Sequence, residues 1–368
     1  MEKTQKKLII FMPAMEGGGV EKNIIIITNY LSKFLKRIVL ITFDNKFNNK
    51  FKKNIKIINY KKKNNKNYSK YFKYLACISI LIKEIIKDKN LAVFAFQANI
   101  YSIILSKIFN FNLIIRSNSS PTGWTKNIIK NYIFKKFFQY PNSIIVNSKN
   151  FKNEIDKKFN IKSSLIYNPL NKFEILKQSK KNVNIKIFKN KNSLKIINIA
   201  RFTDQKDHLT LLKAFKKVSK KINCELLIIG YGSNELKIKN YIRDNSLIGK
   251  IKILKYQENP YKFIRSSDLF ILTSKYEGLP NVLLEAMVLK KFIISSNCPT
   301  GPREILDSGK GGLLFKSKNH KELAKKIIYF HKNKKKCFIM NKTSQLGLER
   351  FNFKKNLNKY YEIIREEI

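Results

Sequence analysis

The chain has 368 residues, enough for two domains that each bury a core. Hydrophobic residues make up 43% and aromatic residues 12%, which excludes an intrinsically disordered chain. Lys and Arg number 75 against 25 Asp and Glu, a net charge of +50, but the lysines are spread over the whole length beside abundant Asn and Ile, a pattern of compositional drift, with no RNP-like aromatic motif or zinc-finger spacing among them.

The first apolar run, "LIIFMPA", leads through "MEGGGVEKN" into a helix candidate at 20–36. It is too short for a signal peptide and reads as a first strand and turn. Gly17, Gly18 and Gly19 there let backbone approach a phosphate or sugar closely, although a flexible turn explains them equally. Further strand candidates are "RIVLITF", "IKIIN", "LAVFAF", "NLIIRS", "SIIVNS" and "SLIYN", with helix candidates at 69–87, 99–109 and 150–159. The tract 59–70 is basic, of low complexity, and reads as a loop. Short strands alternating with helices predict a parallel, doubly wound sheet.

The stretch 168–193 is polar, lysine-rich and opens with Asn-Pro, so it reads as an interdomain linker. The alternation then restarts with "LKIINIA", a helix from Asp207, "CELLIIG", a helix from Asn234, "KIKIL", "DLFILT", a helix from Asn281, "KFIISS" and "GGLLF". The expected organisation is an α/β chain of two Rossmann-like domains facing one another across a cleft. The first spans 1–170, the linker 171–192 and the second 193–348, and a last helix at 349–368 folds back on the first domain. Cys77, Cys224, Cys298 and Cys337 lie far apart without a CxxC, which argues against a zinc site or a disulfide framework and suits a reducing cytoplasm. The runs "NIIIITNYL" and "YLACISILI" are too short to span a bilayer, so a membrane contact would be on the surface.

Ligands of open α/β sheets bind at the carboxyl ends of strands. "DLFILTSKYEGLPNVLLEA" is strand, loop and helix, with Pro280 suited to the first helical turn. Free N–H groups around 278–282, Pro280 excepted, together with the helix dipole, make an anion site. Glu277 in the loop and Glu285 a turn into the helix are acceptors for vicinal hydroxyls. A phosphate between two diols is the layout of a nucleotide-sugar. A helix cap and a solvated surface residue account for the two glutamates equally well when taken alone. "NIARFTDQKDHLTLLKAF" sets Arg201 and Lys206 after a strand, where two cations clamp a diphosphate or are ordinary surface charge.

These residues carry a resemblance. "EGLPNVLLE", "ARFTDQK", "IIGYGSNELK", "GGGVEK" and "IYNPL" resemble, in order and along nearly the whole chain, the GT-B-fold retaining glycosyltransferases of family 4. The resemblance implies an acceptor-side first domain and a nucleotide-sugar-binding second domain. It implies that Arg201 and Lys206 bind the donor diphosphate and stabilise the departing nucleotide, with Glu277 against the donor sugar. Glu285 would hold the ribose, and Gly18, Gly19 and Gly278 to Asn281 would meet phosphate and sugar. No metal or other cofactor is implied. Many relatives carry a His in the first domain where "IIRSNSSP" has Asn118, so Arg116 and Asn118 are candidates for positioning sugar or acceptor, with a turn residue as the plain alternative for Asn118.

The expected activity is transfer of a hexose or N-acetylhexosamine, UDP-linked by preference, to a glycan or polyprenyl-diphosphate-linked acceptor in cell-surface polysaccharide synthesis. The expected location is the cytoplasm, with peripheral contact at the inner face of the plasma membrane. The segment "SSPTGWTKNIIKNYIFKKFFQYP", with Trp124 and Lys126, Lys130, Lys135 and Lys136, reads as a membrane-interface element or an ordinary amphipathic helix. The rivals are a sugar-nucleotide epimerase of similar fold, whose acid/base carboxylates are not evident in the first domain, and a nucleic-acid-binding protein motivated by charge alone.

Overall fold

A computed structural model describes residues 6–15, 17–60, 68–118, 128–183 and 187–368. Trp124 and Lys126 lie outside the described residues, as does the side chain of Lys130. The chain divides into two compact units, Met1–Pro169 with Lys354–Ile368, and Leu170–Phe353.

The first unit contains β1 (Lys7–Phe11), α1 (Gly19–Leu31), β2 (Ile38–Thr42), β3 (Lys56–Asn59), α2 (Lys70–Lys87), β4 (Leu91–Ala95) and α3 (Asn99–Phe109). β5 (Asn112–Ser117), α4 (Ile128–Phe137), β6 (Ser143–Val146), α5 (Lys149–Phe159) and β7 (Ser164–Leu165) complete its run before the chain leaves. Its seven strands are ordered β3-β2-β1-β4-β5-β6-β7. Every pair is parallel, with Leu8 opposite Ile38 and Ala92. Strands β1, β2 and β4 are buried at every residue, which is why they read as unbroken apolar runs instead of alternating ones. One face of the sheet packs with α2, α3, α4 and α5 around Cys77, Leu81, Ile103, Phe138, Phe151 and Ile155.

The second unit opens with α6 (Lys172–Ser179), a helix inside the stretch expected to be a linker. Asn171 caps it, accepting from Glu174 N at 3.1 Å, and Ile175 is buried against the unit. One buried side chain every turn is enough to dock a short polar helix, and composition alone conceals it. Then come β8 (Leu194–Ile199), α7 (His208–Val218), β9 (Cys224–Ile229), α8 (Glu235–Asp244), β10 (Ile251–Leu254) and α9 (Tyr261–Arg265). They are followed by β11 (Leu269–Leu272), α10 (Asn281–Val288), β12 (Phe292–Ser296), α11 (Pro302–Ile305), β13 (Leu313–Phe315), α12 (His320–Lys332) and α13 (Lys334–Leu346). The six strands are parallel, ordered β10-β9-β8-β11-β12-β13, so the order reverses beside β8 and β11. That switch point is where a doubly wound sheet opens its ligand crevice.

The last helix, α14 (Phe353–Glu367), returns to the first unit, where the ring of Tyr361 meets Phe34 at 4.7 Å. Leu357, Tyr360 and Ile364 are buried at helical spacing. Its end is tied to the sheet: the Glu367 carbonyl accepts from Asn112 Nδ2 at 2.8 Å and Ser143 Oγ donates to Glu367 Oε1 at 3.0 Å.

Candidate active site

The loop after β8 is pinned to the exit of β9. Ala200 N donates to the Ile229 carbonyl at 3.1 Å and Phe202 N to the Tyr231 carbonyl at 2.7 Å. Gly230 permits this approach, because a Cβ on it would stand 2.0 Å from the Ala200 carbonyl oxygen. Arg201 is held between these two anchors with its side chain exposed past the strand end.

The loop after β11 is laced to the loop after β8. Lys275 N donates to the Gln205 carbonyl at 2.8 Å, Gln205 Nε2 to the Tyr276 carbonyl at 2.9 Å, and Thr273 Oγ1 to the Lys206 carbonyl at 2.8 Å. This framework brings Lys206 Nζ within 2.5 Å of Glu277 Oε1. Both side chains are largely withdrawn from water, at 16% and 8% exposed. The pair is therefore strongly coupled, and removing one partner strands the other.

The helix α10 starts at Asn281, as expected, with Pro280 just outside its first turn. Pro280 is the N-cap, in extended conformation, and its carbonyl accepts from Leu283 N at 3.1 Å. Asn281 opens the helix, Leu279 is buried, and Glu285 lies in the second turn with its side chain buried. Glu277 and Glu285 are thus both interior groups, unlike the solvated surface residue that one alternative supposed.

A third strand end contributes Thr300 and Gly301, which the sequence reading did not single out within "SSNCPTGPREIL". After β12, Thr300 Oγ1 donates to the Glu277 carbonyl at 2.6 Å. Gly301, at φ +71°, packs on the Gly278 carbonyl. The cue available in the sequence was "PTGPRE" following the next strand of the same sheet.

His208 also escaped attention. It begins α7, is buried, and meets the Phe202 ring edge-on at 5.0 Å. Among the described residues neither of its ring nitrogens has a hydrogen-bond partner. Burial, and secondarily the Lys206 charge, push its pKa down from 6.5 to about 4. The unfolded chain therefore binds the extra proton first. The stability contributed by neutral His208 is complete above pH 6.5 and is lost as pH falls through 4, about 3 kcal/mol in all. We expect His208→Phe to flatten the melting-temperature profile between pH 6.5 and pH 4; an unchanged slope would show that another group governs the acid transition.

The remaining candidates belong to the first unit. Gly18 is the N-cap of α1, with φ of 178°, and Gly19 is its first residue. Arg116, on β5, is completely buried. Its Nε donates to Tyr360 Oη at 2.9 Å, its Nη2 to Asn168 Oδ1 at 2.7 Å, and its Nη1 to Asn118 Oδ1. Asn118 Nδ2 in turn donates to the Phe96 carbonyl at 2.9 Å. Enclosed in this way, Arg116 ties α14 to the sheet and holds Asn118. No group of three or more His, Cys, Asp or Glu suited to a metal occurs among the described residues.

Two parallel-sheet Rossmann-like units, the second with basic and acidic groups gathered at its switch point, define the class as the GT-B glycosyltransferase fold. Residues 179–346 match the family model of the glycosyl transferases group 1. An uncharacterized glycosyltransferase of Methanocaldococcus jannaschii is 37% identical over 220 residues, 55% of this chain and 53% of that one, so the chain spans about half of that relative's length. A Campylobacter jejuni enzyme, N-acetylgalactosamine-N,N'-diacetylbacillosaminyl-diphospho-undecaprenol 4-alpha-N-acetylgalactosaminyltransferase, is 22% identical over 86% of this chain and 88% of its own. The Anabaena protein HepE, solved with UDP and glucose, superposes with a TM-score of 0.79 at 16% identity, covering 98% of this chain and 99% of that one.

Proposed function

We propose that the protein is a retaining glycosyltransferase of family 4 that moves a hexose or N-acetylhexosamine from a nucleotide-sugar to a glycan or polyprenyl-diphosphate-linked saccharide. UDP is the favoured nucleotide. The observation that carries the reading is the Lys206–Glu277 contact at 2.5 Å, set beside the start of α10 and within the same unit as Glu285. A cation and two buried carboxylates around a helix start match a ligand with phosphates between two sets of hydroxyls. Arg201 and Lys206 neutralise the diphosphate as the bond from the anomeric carbon to phosphate oxygen breaks, so no metal is needed for that charge. The acceptor oxygen bonds to the anomeric carbon on the same face, and its proton passes to the departing phosphate oxygen. Glu277 orients the donor sugar, Glu285 the ribose, and Gly18, Gly19 and Gly278 to Asn281 lie against phosphate and sugar; Asn118 positions sugar or acceptor.

The relatives support the substrate classes. The Campylobacter enzyme's name specifies an undecaprenol-diphosphate-linked acceptor, and HepE was solved with UDP and glucose. Cell-surface polysaccharide synthesis at the cytoplasmic face of the membrane is the setting this suggests.

The test is a thermal shift with UDP, GDP, ADP and their sugars on wild type and Glu285→Ala. A ligand at about 100 times its dissociation constant adds about 2.7 kcal/mol of stability. We expect one nucleotide, UDP, to raise the melting temperature of the wild type and to do so weakly in the variant. A folded wild type that responds to none of them would refute the donor site.

A further inference from the structure

We propose that Asn99 and Asn147 take hydrogen bonds from hydroxyl groups of the saccharide acceptor. The proposal deepens the transferase reading and rests on it. At the carboxyl edge of the first sheet, Asn99 opens α3 after β4, Asn118 follows β5, Asn147 follows β6 and Asn168 follows β7. The sheet order β4-β5-β6-β7 sets these residues along one edge. Ser117 pairs with Val146, so the next residues, Asn118 and Asn147, stand side by side at the ends of strands about 5 Å apart. Their amides are spent unequally. Asn118 and Asn168 give their side-chain oxygens to the Arg116 guanidinium. Asn99 Nδ2 donates to the Arg116 carbonyl at 3.2 Å, but Asn99 Oδ1 has no hydrogen-bond partner among the described residues. Asn147 is 3% exposed, and its Oδ1 has none there either. A buried amide oxygen normally finds a donor, because leaving water without one costs free energy. Two unmet oxygens on either side of β5 mark places that a ligand completes.

Chemistry identifies the ligand. An amide oxygen only accepts, so its partner donates an N–H or an O–H. Arg116 is completely buried, and its side-chain hydrogen bonds go to Tyr360, Asn118 and Asn168; among the described residues none is with a carboxylate. That uncompensated positive charge disfavours an ammonium donor beside it. A neutral donor remains, and a sugar ring offers several hydroxyls within reach of one another. The hydroxyls of the donor have Glu277 and Glu285 in the second unit, which leaves those of the acceptor for the first.

The experiment measures transfer by the full chain from UDP-glucose and UDP-N-acetylglucosamine to p-nitrophenyl glycosides of glucose, galactose and their N-acetylamino counterparts, then to the monodeoxy analogues of the best acceptor. Wild type is compared with Asn147→Leu, with Asn147→Ala as a second variant should the larger side chain disturb packing, and with Asn99→Ala. We expect each variant to raise the acceptor KM at least about tenfold and to leave the KM for the UDP-sugar as in wild type. One monodeoxy analogue loses the same factor with wild type and nothing further with the Asn147 variants; a different analogue behaves so with Asn99→Ala. A structural role would not produce that coupling. The melting temperature of Asn147→Leu equals or exceeds that of wild type, because an unmet buried acceptor is gone. Equal losses for every analogue, a raised KM for the UDP-sugar in place of the acceptor, or a lowered melting temperature with the acceptor KM unchanged overturns the proposal. A wild type that binds UDP but transfers to no glycoside strikes the acceptor reading and this proposal with it. A wild type that does not bind UDP either strikes the transferase reading itself.

Discussion

Lys206→Ala lowers kcat by about 100- to 1000-fold, the loss expected when a fixed donor of charge is removed from a developing leaving-group anion. The same change destabilises the fold by about 3 kcal/mol, because Glu277 at 8% exposure loses the ammonium 2.5 Å away. The two effects separate in a double substitution. Lys206→Met with Glu277→Gln removes both charges, so urea unfolding recovers most of the stability while turnover stays low. Activity that recovers with stability would mean that Lys206 serves the fold only. With the single variants Lys206→Met and Glu277→Gln, the double substitution closes a cycle whose coupling energy measures the pair, since residues in contact need not act additively.

Gly301→Ala disables the donor loop. A Cβ there would stand 2.2 Å from the Gly278 carbonyl oxygen and 2.8 Å from Pro280 Cδ, and φ is +71°. Either Gly301 retreats, pulling Thr300 from its 2.6 Å bond to the Glu277 carbonyl, or the Gly278–Pro280 turn moves. Both displace the start of α10. The expected outcome is about 3 kcal/mol of lost stability and at least about tenfold weaker UDP binding by calorimetry. Gly249→Ala is the control. It has φ of +86° but open space around the added carbon, so it costs about 1 kcal/mol of backbone strain and leaves UDP binding unchanged. Equal effects of the two substitutions would place the cost in backbone strain and release Gly301 from any role in holding the loop.

Sheet unfolding into elements was legible because parallel strands buried on both faces leave apolar runs bounded by turn residues. "CELLII" became β9 and "FIISS" became β12, each wholly buried. The motifs at strand ends were legible for a related reason: Arg201, Lys206 and Glu277 follow short apolar runs, and the carboxyl ends of such runs form the ligand edge. The helix α6 was not legible, because its one buried turn, Ile175 and Ser179, lies among lysines that solvate the rest. Arg116 read as a candidate for positioning sugar or acceptor, and only the fold enclosed it with Tyr360, 244 positions away.

From sequence alone came the class of fold, the strand-end motifs and the kind of ligand that their residues suit, because strand length, turn residues and side-chain chemistry are local properties. The tertiary structure alone paired Lys206 with Glu277 across 71 positions and seated Gly301 on the Gly278 carbonyl. Those relations depend on which strands lie next to each other, and strand order is set by how the whole sheet buries its apolar surface.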